Sequence, residues 1–218
     1  MPCTKERLLI VDDEPAIRTS MSLLLAEIGY RVRSAHDGFS ALRELRKEIP
    51  DILLSDLNMP GMSGFELLLV VQRRFPEILV IAMSGAFSGS EIPSGVSADA
   101  FYQKGSSMSA LIQILRAPPK IRRSVQPTSG GTSPLWIQRN GSEPLGKAQV
   151  AIACPECLRA FPQVFKGSDS DVREVDCIHC GNSIQFEVVE SSNRMPQQAF
   201  RRGAGTAFAA HGTSTASN

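Results

Sequence analysis

The first half of the chain alternates between two hydrophobic periods, and few folds accept that alternation. Short runs rich in Val, Ile and Leu, bounded by charged or turn residues, read as strands: "RLLIVDD" (7–13), "YRVRSA" (30–35), "DILLSD" (51–56) and "EILVIAMS" (77–84). "DAFYQK" (99–104) is a weaker fifth. Between them, apolar residues recur at helical spacing. Ile17, Met21, Leu24, Leu25 and Ile28 mark one face, after Pro15 and before Gly29. Ala41, Leu42, Leu45 and Ile49 mark a second, and Phe65, Leu68, Leu69 and Gln72 begin a third. "SSMSALIQILR" (106–116) opens on serines suited to an N-cap. Alternation of this kind implies an α/β domain over residues 1–116, with a parallel sheet and helices on both faces. Gly89, Pro93 and Gly95 break the stretch 86–98, which is expected to be short or irregular.

Ligands of open parallel sheets bind beyond the carboxyl ends of the strands. Asp12 and Asp13 end the first strand, Asp56 the third, Ser84 the fourth and Lys104 the fifth. A lone Asp at a strand end is usually a turn former or cap. Five such groups at four strand ends call for another account. Three close carboxylates repel one another unless a cation neutralises them. Mg²⁺ takes oxygen ligands and keeps several waters, leaving room for a phosphoryl oxygen. Asp56 could then attack phosphorus as a carboxylate nucleophile, with Lys104 and Ser84 stabilising the charge on the transferring group.

"LLIVDDE" (8–14), "LLSDLNMPGMSGFE" (53–66), "IAMSG" (81–85) and "FYQK" (101–104) stand in that order in the chain. With these motifs, residues 5–116 resemble the receiver domain of two-component response regulators. The resemblance implies a flavodoxin-like, doubly wound five-stranded sheet. It implies that Asp56 is the phosphoacceptor and that Asp12, Asp13, Asp56 and the backbone carbonyl of Asn58 hold Mg²⁺. It also implies that Ser84 moves toward the phosphoryl group, that Lys104 contacts it, and that Phe101 is the switch aromatic. The implied phosphodonor is a histidine kinase or a phosphotransfer protein. Two features depart from the family. Gly105 stands where a proline usually follows the lysine, so the loop should be more flexible. The broken stretch 86–98 argues against dimerisation through the usual face.

Residues 117–147, "APPKIRRSVQPTSGGTSPLWIQRNGSEPLGK", are rich in Pro, Gly and Ser and read as a flexible linker spanning ~30 Å. Trp136 lies within it, either as a docking aromatic or loosely packed on a neighbouring domain. Residues 148–190 read as a compact module, since "SIQFEV" (183–188) alternates polar and apolar residues. Residues 191–218 read as a disordered tail.

The compact module carries "CPEC" (154–157) and "CIHC" (177–180). Two Cys-x₂-Cys pairs at this separation have zinc-site spacing. Cys154, Cys157, Cys177 and Cys180 would close a tetrahedral shell, which makes a structural Zn²⁺ site rather than a catalytic one. Disulfide exchange is the alternative, and two pairs with Gly181 after the last cysteine weigh against it. His179 is expected to point away from the metal, and Cys3 to be a free thiol. The segment resembles a small bacterial zinc-ribbon finger, a likeness that specifies zinc far better than function.

Charge bears on partners. Residues 148–190 hold 3 Lys/Arg against 7 Asp/Glu, so the module is a poor phosphate binder. The basic residues Lys120, Arg122, Arg123, Arg139, Arg194, Arg201 and Arg202 flank it instead. Nucleic acid is therefore a disfavoured partner, and an unidentified protein is the expected partner of the ribbon. No stretch approaches the ~18 apolar residues of a membrane span, and five cysteines, an odd number, suit a reducing compartment. The chain is expected to be cytoplasmic, to be a signalling protein rather than an enzyme, and to carry receiver and ribbon as tethered, independent modules. A DNA-binding regulator and a phosphate sink without output are the rival readings.

Overall fold

The computed structural model describes residues 6–85, 97–116, 134–138, 148–165 and 172–189. Five strands, β1 (Arg7–Val11), β2 (Arg31–Ala35), β3 (Ile52–Asp56), β4 (Leu79–Ser84) and β5 (Ala100–Gln103), form one parallel sheet in the order β2-β1-β3-β4-β5. The weak fifth strand of the sequence is present, at the sheet edge.

Strand alternation divides the core in two. Leu8, Ile10, Ile52, Leu54, Ile81 and Met83 face α1 (Pro15–Glu27) and α4 (Met108–Arg116), meeting Met21, Leu25, Leu111 and Leu115. Leu9, Val11, Leu53, Val80 and Ala82 face α2 (Gly38–Lys47) and α3 (Gly64–Arg74). Such two-sided burial is why the strands read as continuous apolar runs.

Local chemistry sets the helix ends. Pro15 starts α1, and Gly29 (φ 111°) follows its end. Asp37 and Ser40 form a capping box on α2. That helix stops at Lys47, so Ile49 is not on its face and is 39% exposed. Pro50 explains the early stop, because the residue before a proline is driven out of helical geometry. The stretch expected to be irregular, 86–98, lies outside the described residues apart from its last two.

The second module contains a β7 (Ala148–Ala153)–β8 (Ala160–Phe165) hairpin. It also contains a three-stranded sheet of β6 (Leu135–Gln138), β10 (Ser183–Val189) and β9 (Arg173–Asp176), in that order. β6 corrects the linker expected over 117–147. Its residues pair in parallel with Phe186–Val189 and insert Leu135 and Ile137 into the core, while Trp136 is half-buried on the other face. The rest of that segment and the tail 191–218 lie outside the described residues.

The α/β half and the second module are packed together rather than tethered. β6 contacts α3, and a single apolar cluster runs from Leu67, Val70 and Phe75 to Leu135, Ile137, Leu158 and Phe186. Consequently α3 is buried on nearly every side, including Leu67 and Val70 beyond the expected face. A helix apolar all round must be covered all round.

Candidate functional site

The strand ends converge as the alternation requires. Asp12 leaves β1 fully buried, Asp56 closes β3 at 4% exposure, and Ser84 closes β4 fully buried. Lys104 follows β5 and stays in register through its backbone N–H, which donates to the Ser84 carbonyl at 2.9 Å. Its Nζ lies 2.7 Å from Asp56 Oδ2 and 2.8 Å from Asp12 Oδ2, bridging the two acids. Exposed Asp13 completes the group: carboxylate oxygens of Asp12, Asp13 and Asp56 lie within 4.8 Å of one another.

Neighbouring backbone fixes these groups. Asp12 Oδ1 accepts from Glu14 N–H at 2.9 Å, and Arg18 Nη1 donates to the Asp12 carbonyl at 2.7 Å. Asp56 Oδ1 accepts from Asn58 N–H at 3.3 Å. Beyond Asp56 the chain doubles back: Leu57 N–H donates to the Met83 carbonyl, and Gly64 N–H to the Leu57 carbonyl. A Cβ at Gly64 would sit 1.9 Å from the Asp56 carbonyl oxygen, so only glycine lets α3 start here. Gly105 has φ 85°, a conformation closed to the proline that the family usually carries there. Phe101 is half-buried on β5 and packs against the α2/α3 side of the core.

Burial pushes the Asp56 carboxyl above its ordinary range; the hydrogen bond and charge of Lys104 oppose this without cancelling it, and Asp12 adds to the rise. Burial alone would lower Lys104, but Asp12 and Asp56 outweigh it and raise its pKa. The site is thus an excess of buried negative charge held by a single ammonium, suited to a hard dication.

The four cysteines of the second module also converge. Cys154 and Cys180 Sγ lie 3.7 Å apart, as do Cys157 and Cys177 Sγ, and all four fall within 4.8 Å of one another. A tetrahedron with Zn–S bonds of 2.3 Å has edges of about 3.8 Å, so the spacing fits the metal. Burial pushes Cys154 up to about 12. Cys177 is buried too, yet N–H groups of His179 and Cys180 pull it down to about 7. His179 is not in the cluster; its ring meets Phe161 edge-on at 6.4 Å. Cys3 lies outside the described residues.

Sequence reasoning missed two buried features. Glu66, on α3, is 2% exposed. Leu158, with φ 55°, is the only non-glycine residue at positive φ among the described residues. Only the unbroken apolar run "LLLVV" after Glu66 hinted that α3 had a second buried face.

The curated relatives include the DNA-binding transcriptional regulator NtrC of Escherichia coli (strain K12), 32% identical over 134 residues, which are 61% of this chain and 27% of NtrC. The response regulator MprA of Mycobacterium ulcerans is 32% identical over 113 residues, 51% of this chain and 49% of MprA. The chain therefore spans about a quarter to a half of the length of these relatives. Among solved structures, Vibrio cholerae chemotaxis protein CheY4 is 30% identical, with a TM-score of 0.48 over 51% of this chain and 97% of CheY4. Response regulator protein TrrA from Thermotoga maritima, in complex with Mg²⁺-BeF, is 30% identical, with a TM-score of 0.47 over 50% and 96%. A sequence model of the response regulator receiver domain matches residues 8–116, half of the 218-residue chain, and the chain belongs to that family.

Proposed function

We propose that the chain is a two-component response regulator in which Asp56 accepts a phosphoryl group from a histidine kinase or phosphotransfer protein. The observation that carries this reading is the Lys104 ammonium bridging Asp12 and Asp56 at the strand ends, with Asp13 alongside. Mg²⁺ would be held by Asp12, Asp13, Asp56 and the Asn58 backbone carbonyl, and when bound it supplies charge neutralisation for the carboxylates and the phosphoryl oxygens. An Asp56 oxygen forms the new P–O bond as the donor's P–N bond breaks, and the donor imidazole leaves with the electron pair and takes up a proton. Lys104 and Ser84 hold the phosphoryl oxygens, and Phe101 packs behind the site as Ser84 moves. The chain acts as acceptor and relay, not as an enzyme in its own right.

The second module binds one structural Zn²⁺ through Cys154, Cys157, Cys177 and Cys180 and passes the output to a protein partner in the cytoplasm. Support comes from the 3.7 Å sulfur separations. No described helix is long and apolar enough to cross a membrane. DNA binding, the activity in NtrC's name, is disfavoured by the module's excess of acids over bases.

Acetyl phosphate with Mg²⁺ should label the wild-type chain on Asp56 and leave Asp56→Asn unlabelled. Equal labelling of the variant would overturn the phosphoacceptor reading. A gel shift that is sequence-specific and depends on salt would favour the DNA-binding rival.

A further inference from the structure

The two cysteine knuckles are built alike but used differently. In the first, Cys154 N–H donates to the Arg159 carbonyl at 3.0 Å and Leu158 N–H to the Cys154 carbonyl at 2.9 Å. In the second, Cys177 N–H donates to the Asn182 carbonyl and Gly181 N–H to the Cys177 carbonyl, both at 2.8 Å. This turn requires a left-handed residue at its fifth position, where Gly181 has φ 75° and Leu158 φ 55°. Glycine takes that conformation freely; leucine is strained in it. Gly181 is exposed, whereas Leu158 is 5% exposed.

The leucine borders the receiver. Leu158 belongs to the same apolar cluster as Leu45 of α2 and Phe75 after α3, and lines with them an open groove of about 510 Å³ at the junction. Beside it, Arg74 Nε donates to the Glu156 carbonyl at 3.2 Å. The second knuckle faces outward, with Ile178 70% exposed. The first knuckle thus abuts the C-terminal end of α3, while β6 contacts that helix. The other end of α3 is wedged against Asp56, because Gly64 leaves no space between helix and phosphoacceptor. One helix therefore touches both sites.

We propose that metal occupancy of the cysteine cluster is read at Asp56: the Leu158 knuckle clamps α3, and α3 sets the geometry of the phosphoacceptor. This rests on the zinc reading given above. Two states are involved, module docked and module released, and they differ in whether the outer face of α3 is covered. Zn²⁺ stabilises the folded knuckle and so the docked state. Linkage is reciprocal: filling the Asp56 site tightens zinc by the factor by which zinc tightens the Asp56 site. Leu158 is a positioning residue, acting only through α3.

The test uses the full chain, with zinc content, amide exchange over residues 64–74 and affinity for beryllofluoride in Mg²⁺ as readouts. Leu158→Gly relieves the strained turn, so the knuckle should keep one Zn²⁺ per chain. It should also speed exchange across α3 and weaken beryllofluoride binding by about tenfold, within the usual range of such couplings. Leu158→Met, which restores an apolar anchor, should return both toward wild type. Chelating zinc from the wild type should reproduce the Leu158→Gly pattern. Zinc retained with unchanged α3 exchange and unchanged beryllofluoride affinity in Leu158→Gly overturns the coupling alone. A wild-type chain purified under reducing conditions without zinc overturns the metal reading, and the coupling with it.

Discussion

Glu66→Gln should make the protein less sensitive to alkaline pH. Glu66 lies on α3 at 2% exposure, and its Oε1 finds no hydrogen-bond partner among the described residues. Burial raises its pKa from the ordinary 4.5 to about 8. In this window the native state keeps a proton that the unfolded chain releases. Stability therefore falls as pH rises from 4.5 and levels off above about 8. Each pH unit well inside the window is worth about 1.4 kcal/mol, and the slope halves near pH 8, so the loss between pH 6 and pH 8 is roughly 2 kcal/mol. The substituted amide is neutral throughout and carries none of this slope. Urea unfolding of both proteins from pH 6 to 8.5 measures the difference directly, since the other titrating groups are common to both. The variant should gain on the wild type by roughly 2–3 kcal/mol over the window. Parallel stability curves would show that Glu66 is solvated or paired in solution, and that α3 is not covered as described.

At the strand ends, Asp13→Asn should weaken Mg²⁺ binding by about tenfold or more by removing a charged ligand while leaving the fold intact, as read by Mg²⁺ titration; unchanged affinity would remove Asp13 from the site. Gly64→Ala should destabilise the protein by about 3 kcal/mol or more, because its Cβ would press on the Asp56 carbonyl at 1.9 Å; a thermal midpoint within a degree of wild type would contradict that wedge. Cys154→Ser or Cys177→Ser should each abolish zinc in metal analysis and unfold the second module, since binding energy at such a site is folding energy of order 10 kcal/mol. A variant of either kind that still holds one zinc would mean that the four thiols do not form one site.

Much of the receiver was legible because its physics is local. Short continuous Val/Ile/Leu runs marked the strands, period-3.6 runs the helices, and Pro15 and Gly29 the ends of α1. Once the strands are parallel, Asp12, Asp56, Ser84 and Lys104 have to meet, because every carboxyl end lies on one side of the sheet. The cysteine cluster was legible for a similar reason: two residues between cysteines make a knuckle whatever surrounds it.

Docking was not legible. "LWIQ" is too short for its period to stand out among the prolines and glycines that flank it, and whether it forms a strand depends on β10, whose partner residues lie just over fifty positions on, supplying the backbone partners. An apolar run such as "LLLVV" says that α3 needs covering on both sides but not by what. Glu66 and Leu158 show the same limit. A glutamate on a helix reads as a solvated group, and a leucine in a turn as an ordinary apolar residue. The sequence by itself determined the receiver's strands and helices, the strand-end acids and the two knuckles, since each rests on residues a few positions apart or on the handedness of a parallel sheet. The tertiary structure alone decided that the second module seats on α3 and that Glu66 and Leu158 are buried, because burial is a property of the surfaces that meet and not of the segments that carry them.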